Sequence, residues 1–399
     1  MAKLYNLARM SSATTGTGTI TLGAAVSGFL TFALAGVADG DVVSYGIKDG
    51  ANSEVGTGTY TASGTTLSRT VTKSTNSNAA INLSGSAEVY ITLRAEDAVN
   101  VHPPQGRLTL QTLTPVMTTA QSAKTTIFYT PYNGRLCPIY DGTEFTMTPF
   151  AELSVATTDT TKSPAAIGAS KVNDWFIWND AGTMRVSHGP DWTNDTTRSA
   201  GTALVMANGI LLNNVSLTNG PAASRGTYVG TTRSNASSQL DWIPGAAASG
   251  GTAAFLGVWN AYNRRLVLAT VTDNGTSYTY SSATVRQARA SAGNQVSFVL
   301  GLQEDAVAFS YAADTVTAAA SFSFPAFGVG FDVTNAFSIV QSGGQTPTAQ
   351  GTHMIGNNTG FWAAGIGLHV LAAVEAALAA DTCTFDATSK NALMASIWM

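Results

Sequence analysis

Apolar positions along this chain come in short runs broken by Gly, Asn, Asp, Ser and Pro, a pattern that predicts strands joined by turns rather than long helices. The stretch from Pro138 to Asn214 shows it best. There PIYDGTEFTMTPFAEL, DWFIWNDAGTMRVSHGPDW and ALVMANGILLNN alternate strand formers with turn residues. Asp141-Gly142 and Asn208-Gly209 suit the positive φ angles of tight hairpins, and Asp180 to Gly182 suit a slightly longer connection.

Earlier in the chain, Gly18 to Leu22, Val42 to Ile47, Thr57 to Ala62, Leu67 to Lys73 and Ala87 to Leu93 read as strands, with turns at Asp39-Gly40, Asp49-Gly50 and Ser63-Gly64. Residues 1–98 are therefore expected to form a small β module. Partial alternation from Val42 to Ile47 predicts a strand packed on both faces. A change of texture follows, where His102-Pro103-Pro104 and a Thr-rich, weakly charged run predict an extended connector over 99–135. Residues 136–399 then carry candidate strands about every ten residues, the spacing of an antiparallel, jelly-roll-like β-sandwich. Asn274-Gly275 is its clearest two-residue hairpin signal. The fold class is mainly β throughout.

Phe361 to Ala380 is ambiguous. Its alanines favour a helix from Leu368 to Ala380, whereas His369, Leu371, Ala373 and Glu375 fall on one face only in a strand. Strand is the preferred reading. Thr384 to Asp386 and Leu393 to Trp398 supply two further strands.

Three stretches resemble segments of tail-fibre and related virion proteins of tailed bacteriophages and prophages. The first runs from TTGTGTITLGAAVSGFLTFALAGVADGDVVSYGIKDG to SRTVTKSTNSNAAINLSG, similar to an all-β module at the front of such proteins. The second comprises Pro-Ile-Tyr-Asp-Gly-Thr, Phe-Ala-Glu-Leu, Trp-Phe-Ile-Trp and Gly-Pro-Asp-Trp, and the third RGTYVGTTRSNASSQLDW with LGVWNAYNRR. The alternation from Gly367 to Glu375 is similar to a strand near the end of phage fibre domains. The resemblance implies an N-terminal module that attaches to the particle and a displayed C-terminal domain.

Composition narrows the function further. Charged residues are only 11% of the chain, against about 25% in typical soluble domains. Thr, Ser, Asn, Ala and 39 Gly replace them, which favours strands and turns and predicts surfaces covered by subunits or kept polar without charge. Net charge is −4 and the 20 basic residues are scattered, so a nucleic-acid partner is not expected. The first residues hold no long apolar run, and Gly23 to Ala38 is interrupted and short, so neither a secretory signal nor membrane insertion is expected. Cys137 and Cys383, far apart, read as buried thiols suited to assembly in a reducing cytoplasm.

Catalytic constellations are sparse. His102, His188, His353 and His369 show no zinc-protease spacing. His188, Asp191 and Asp195 share one loop and are read as a polar turn rather than a metal site, as are Asp39 and Asp41. Glu304-Asp305 in a strand would point to opposite faces, unlike a converging glycosidase pair. No catalytic residue, metal or cofactor is assigned. Trp192 and Trp242, in turn-like surroundings, are the aromatic candidates for a binding surface.

With these exclusions, the resemblance implies a non-enzymatic virion protein of tail-fibre or spike type, assembled in the host cytoplasm and acting in host attachment. Its expected partners are other tail or head proteins, a host-surface glycan or protein, and further copies of itself. A homotrimer is expected, with the Thr109 to Thr130 segments pairing between copies. A head fibre or capsid-decorating protein, and a glycan-cleaving spike, are the alternatives.

Overall fold

A computed structural model describes residues 2–98, 101–316, 323–343, 353–378, 382–388 and 391–399. Apart from short 3-10 turns, the described elements are all strands, so the fold is mainly β. No helix among these residues is long and apolar enough to cross a membrane. The chain divides into two compact units, Met1–Asn100 and Val101–Met399.

In the first unit, Val42–Asp49 and Asn52–Thr61 form a hairpin at the centre of a seven-stranded sheet, with Ala87–Ile91 and then Arg9–Ser12 alongside the first strand. Gly50, at φ 58°, makes the tight reversal between them. Val43 to Ile47 are buried without interruption, as their incomplete alternation predicts. Met10, Phe32, Tyr45, Ile47, Leu67 and Val89 belong to the core of this unit. Within it lies a buried ion pair, Glu54 with Arg69, whose side chains are 0% and 2% exposed. Tyr45 Oη donates to Glu54 at 2.9 Å, and the Ile81 amide donates at 2.8 Å. Each Glu54 oxygen and each Arg69 nitrogen thus meets a partner, which such burial requires.

The second unit begins earlier than the sequence suggests, because residues 101–135 are not a connector. Gly106–Thr109 pairs with Thr126–Pro131, which pairs in turn with Leu153–Ala156, and Leu108, Leu110, Ile127 and Tyr129 are buried in the unit's main core. Two threonines of this run bind an internal carboxylate. Thr112 and Thr130 hydroxyls each donate to Glu152 at 2.6 Å. Arg107 is only 3% exposed and donates to the carbonyls of Pro115 and Met399. Burial pushes its guanidinium down to about 10.

A second sheet of this unit runs Thr183–His188, Val172–Asp180, Thr227–Arg233, Ile210–Asn213, Leu204–Ala207. The Asn208-Gly209 turn forms as expected, both residues having positive φ, and Ala181-Gly182 closes the hairpin from Asp180 to Thr183. Asn274-Gly275 does not form a hairpin. Leu266–Asp273 pairs with Asn391–Trp398, while Tyr278–Tyr280 pairs with Cys383–Asp386.

Leu136–Tyr140 and Phe145–Pro149 pair by themselves, and most of the other strands build a sandwich of two sheets. One contains Leu240–Ile243, Ala254–Leu256, Gln295–Leu300, Gly367–Ala377, Pro325–Phe331 and Ile339–Ser342 in that order, with the pairing of Ala254–Leu256 to Gln295–Leu300 parallel. Gly367–Ala377 is the strand that its alternation favours over a helix, as far as the described residues extend. The other sheet places Asn391–Trp398 between Leu266–Asp273 and Val307–Val316, with His353–Trp362 on the far side of Val307–Val316. Aromatic side chains interlock between the two: Phe309 meets Phe331 at 5.2 Å and Tyr311 meets Phe327 at 6.3 Å, both edge to face.

Candidate functional site

The two tryptophans singled out by sequence are core residues, not a display surface. Trp192 is 2% and Trp242 3% exposed. Asp174, fully buried on the Val172–Asp180 strand, draws Trp192 inward. Its carboxylate accepts from Trp192 Nε1 at 3.1 Å, Arg198 Nε at 2.9 Å and Thr231 Oγ1 at 2.6 Å, while the Arg198 guanidinium lies over the Trp192 ring at 4.4 Å. Trp242 sits in the strand register between Gln121 and Leu256.

The loop carrying His188, Asp191 and Asp195 disperses them. Asp191 accepts from Asn173 Nδ2 at 2.9 Å, and Asp195 pairs with Arg233 at 3.2 Å. His188 is buried with Nδ1 2.8 Å from the Gly189 carbonyl, and burial lowers its pKa. Asp39 and Asp41 also separate: Asp39 accepts the Ala62 amide, whereas Asp41 pairs with Lys3 and Tyr5. Glu304 and Asp305 lie outside any strand and both reach Arg264, at 2.7 and 2.6 Å. Each acid proposed from sequence as a catalytic alternative therefore already has a partner.

A different surface stands out, and strand register defines it. On the sheet containing Leu266–Asp273, residues that pair across strands share a face. One row runs Leu268, Ser396, Ala308, Phe361; the next Thr270, Met394, Ser310, Thr359; the next Thr272, Ala392, Ala312, Asn357. These side chains alternate with the buried Phe309, Tyr311 and Ala313, so they point away from the sandwich core. Leu266 and Trp398 extend the face at one end, Ile355 at the other. Large apolar side chains are left in solvent: Phe361 is 79% exposed, Ile355 70%, Leu268 57% and Leu266 56%. Among these positions there is no Lys, Arg or Glu.

At one corner of this face, Asp314, His353 and Asp386 come together, with donor atoms within 4.8 Å of one another. His353 Nδ1 lies 2.9 Å from Asp314 Oδ2 and 4.0 Å from Asp386 Oδ2. The donor types suit a divalent cation. Hydrogen bonds also organise the group: Asp386 Oδ1 accepts from the Thr388 amide at 3.0 Å and from Ser277 Oγ at 3.2 Å.

The first unit has its own recess, a cleft of about 280 Å³ where the Arg9 guanidinium lies 5.2 Å from the Phe29 ring and 5.6 Å from the Tyr90 ring. Leu7, 61% exposed, stands at its rim. This is a mixed aromatic and cationic surface.

The sequence signal for the large face was present in the outward positions of its strands. Ala308, Ser310, Ala312, Thr359 and Ser396 are small or hydroxylated where a solvated sheet ordinarily carries charge, and that substitution belongs to the 11% charged content noted above.

No protein-family model matches this chain, and no curated protein matches it. Among solved structures, it is similar to infectious bursal disease virus, Gt strain, at 10% identity and a TM-score of 0.22, over 99% of this chain and 71% of that one. The insecticidal delta-endotoxin Cry8Ea1 of Bacillus thuringiensis matches at 6% identity and 0.18, over 74% and 52%. An exo-beta-1,3-galactanase of Phanerochaete chrysosporium matches at 10% and 0.14, over 86% and 75%. Scores this low carry no argument about what the chain does.

Proposed function

We propose that this chain is a non-enzymatic structural protein of a bacteriophage or prophage virion, of tail-fibre or spike type, that works as a homo-oligomer in attachment to the host surface. The observation that carries this reading is the ordered resemblance of three stretches, spread over most of the chain, to virion fibre proteins. Two physical features support it. Its regular secondary structure, among the described residues, is almost wholly strand, and it presents a broad uncharged sheet face to solvent, as expected of a part made to be stacked with other subunits. Residues 1–100 then serve for docking to the particle, with other tail or head proteins as partners, and residues 101–399 for display.

Antibody-gold labelling of intact particles, combined with adsorption blocking by the purified chain, tests this. The expected result is label at the tail and competition for host adsorption without release of reducing sugar from host polysaccharide. Label confined to the capsid would make the protein a head fibre or decoration instead. Sugar release abolished by a single acid-to-amide substitution, with adsorption intact, would make it a glycan-cleaving spike.

A further inference from the structure

We infer that the outward face of the Leu266–Asp273 sheet is the surface through which copies of this chain meet. This rests on the homo-oligomeric reading above and assigns it a place. Three observations point to a second copy rather than a foreign partner.

The first is charge. Residues at the symmetry axis of a self-associating face meet their own copies, so charge there repels and a face without it is favoured, whereas a face for another molecule gains by carrying complementary charge. The three complete rows of this face contain no ionisable side chain, and Asp314 and His353 stand together at the corner.

The second is size. Four strands spaced by about 4.8 Å, with about nine residues each at about 3.3 Å, give a footprint of about 570 Å² before side-chain relief is added. Stable interfaces bury about 800 Å² per partner. Taken flat, the face supplies about seven-tenths of that area, and the projecting Leu268, Ile355, Phe361 and Trp398 side chains add to it.

The third is texture. Ala308, Ser310, Ala312 and Ser396 occupy its middle, with Leu268 and Phe361 at opposite ends of one row. Small central side chains let two sheets approach, while exposed apolar groups at the margins provide the burial that drives contact.

Light scattering at micromolar concentration on the full chain, alongside Leu268→Glu and Phe361→Lys, tests the inference, with a circular-dichroism melt for each. Both side chains are largely solvent-exposed, so a charge there disturbs the protomer little. The expected result is a wild-type mass that is a multiple of the chain's and variants that melt normally but run as monomers. A wild-type monomer overturns the inference. So does an oligomer that keeps its mass in both folded variants, an outcome that leaves the oligomeric virion reading intact and removes only this face. Should the variants fail to fold, hydroxyl-radical footprinting of the wild type decides. Met394, Trp398 and Phe361 are expected to be protected in the assembled form, and full reactivity there in a confirmed oligomer overturns the inference.

Discussion

The strand Val307–Val316 has two sides that differ more than its sequence suggests. Inward, Phe309, Tyr311 and Ala313 are nearly inaccessible and meet the aromatics of the opposing sheet. Outward, Ala308, Ser310 and Ala312 stand on a face where neighbouring Leu268 and Phe361 are exposed. Alternation tells which side is which but not what the outer side is for. The residue types at the outward positions carry that information, since solvent alone would tolerate charge there.

The contrast can be broken first from the inside. Phe327, fully buried against Tyr311, should lose about 3–5 kcal/mol as Phe327→Ala, read from the urea midpoint of the second unit. A smaller effect is expected at the buried polar site between the sheets. Glu375 accepts from Arg286 Nε and from the Arg289 amide and pairs with Tyr278. Arg286→Ala should cost about 2 kcal/mol, because Tyr278 and the amide remain to hold the carboxylate.

Proton linkage at the same site gives a subtler test. Burial raises the Glu375 carboxyl above its ordinary 4.5, with Tyr278 and Arg286 opposing. A carboxyl more easily protonated in the folded state contributes stability that is complete below about 4.5 and is lost as pH rises through the raised folded value. Denaturant titrations of wild type and Glu375→Gln should therefore show the variant gaining on the wild type as pH increases from below 4.5. A constant difference between them would show that the site does not titrate on folding. Smallest of all should be Leu268→Thr on the outer side, within about 0.5 kcal/mol of wild type when the protomers are kept dilute. A loss comparable to that of Phe327→Ala would mean that the outer face is packed within a single chain.

Much of the sheet structure was legible in the sequence. Val172–Asp180, Thr183–His188, Thr227–Arg233 and Asn391–Trp398 lie where apolar runs and turn residues place them. Gly367–Ala377 is a strand despite its alanines, since burial on both sides of a sheet outweighs helix propensity. Long-range polar partners were the information missing from local pattern. Asp273 accepts from the Gly250 and Gly275 amides and from Arg289 Nε, which turns the chain away from the hairpin that Asn274-Gly275 would otherwise make. Trp192 looked like a loop aromatic because Asp174 lies eighteen residues away, and the Thr-rich run looked like a connector because Glu152 lies beyond it. The large face escaped notice because it is assembled from four strands distant in sequence, and only register brings Leu268 and Phe361 into one row.

The Glu54 and Arg69 pair at the heart of the first unit bears on how that unit can open. Neither charge is tolerable in a dry interior without the other, and the Ile81 amide and Tyr45 hydroxyl complete the same set of bonds. Lifting away the chain around Ile81 would strip Glu54 of one donor, and releasing Arg69 would strip it of its counter-charge. Partial openings are thus penalised more than in a purely apolar core, where a loosened edge loses contacts gradually. The backbone amides of Val43 to Ile47 should exchange with solvent together, at a rate set by opening of the whole unit rather than by fraying at its margins.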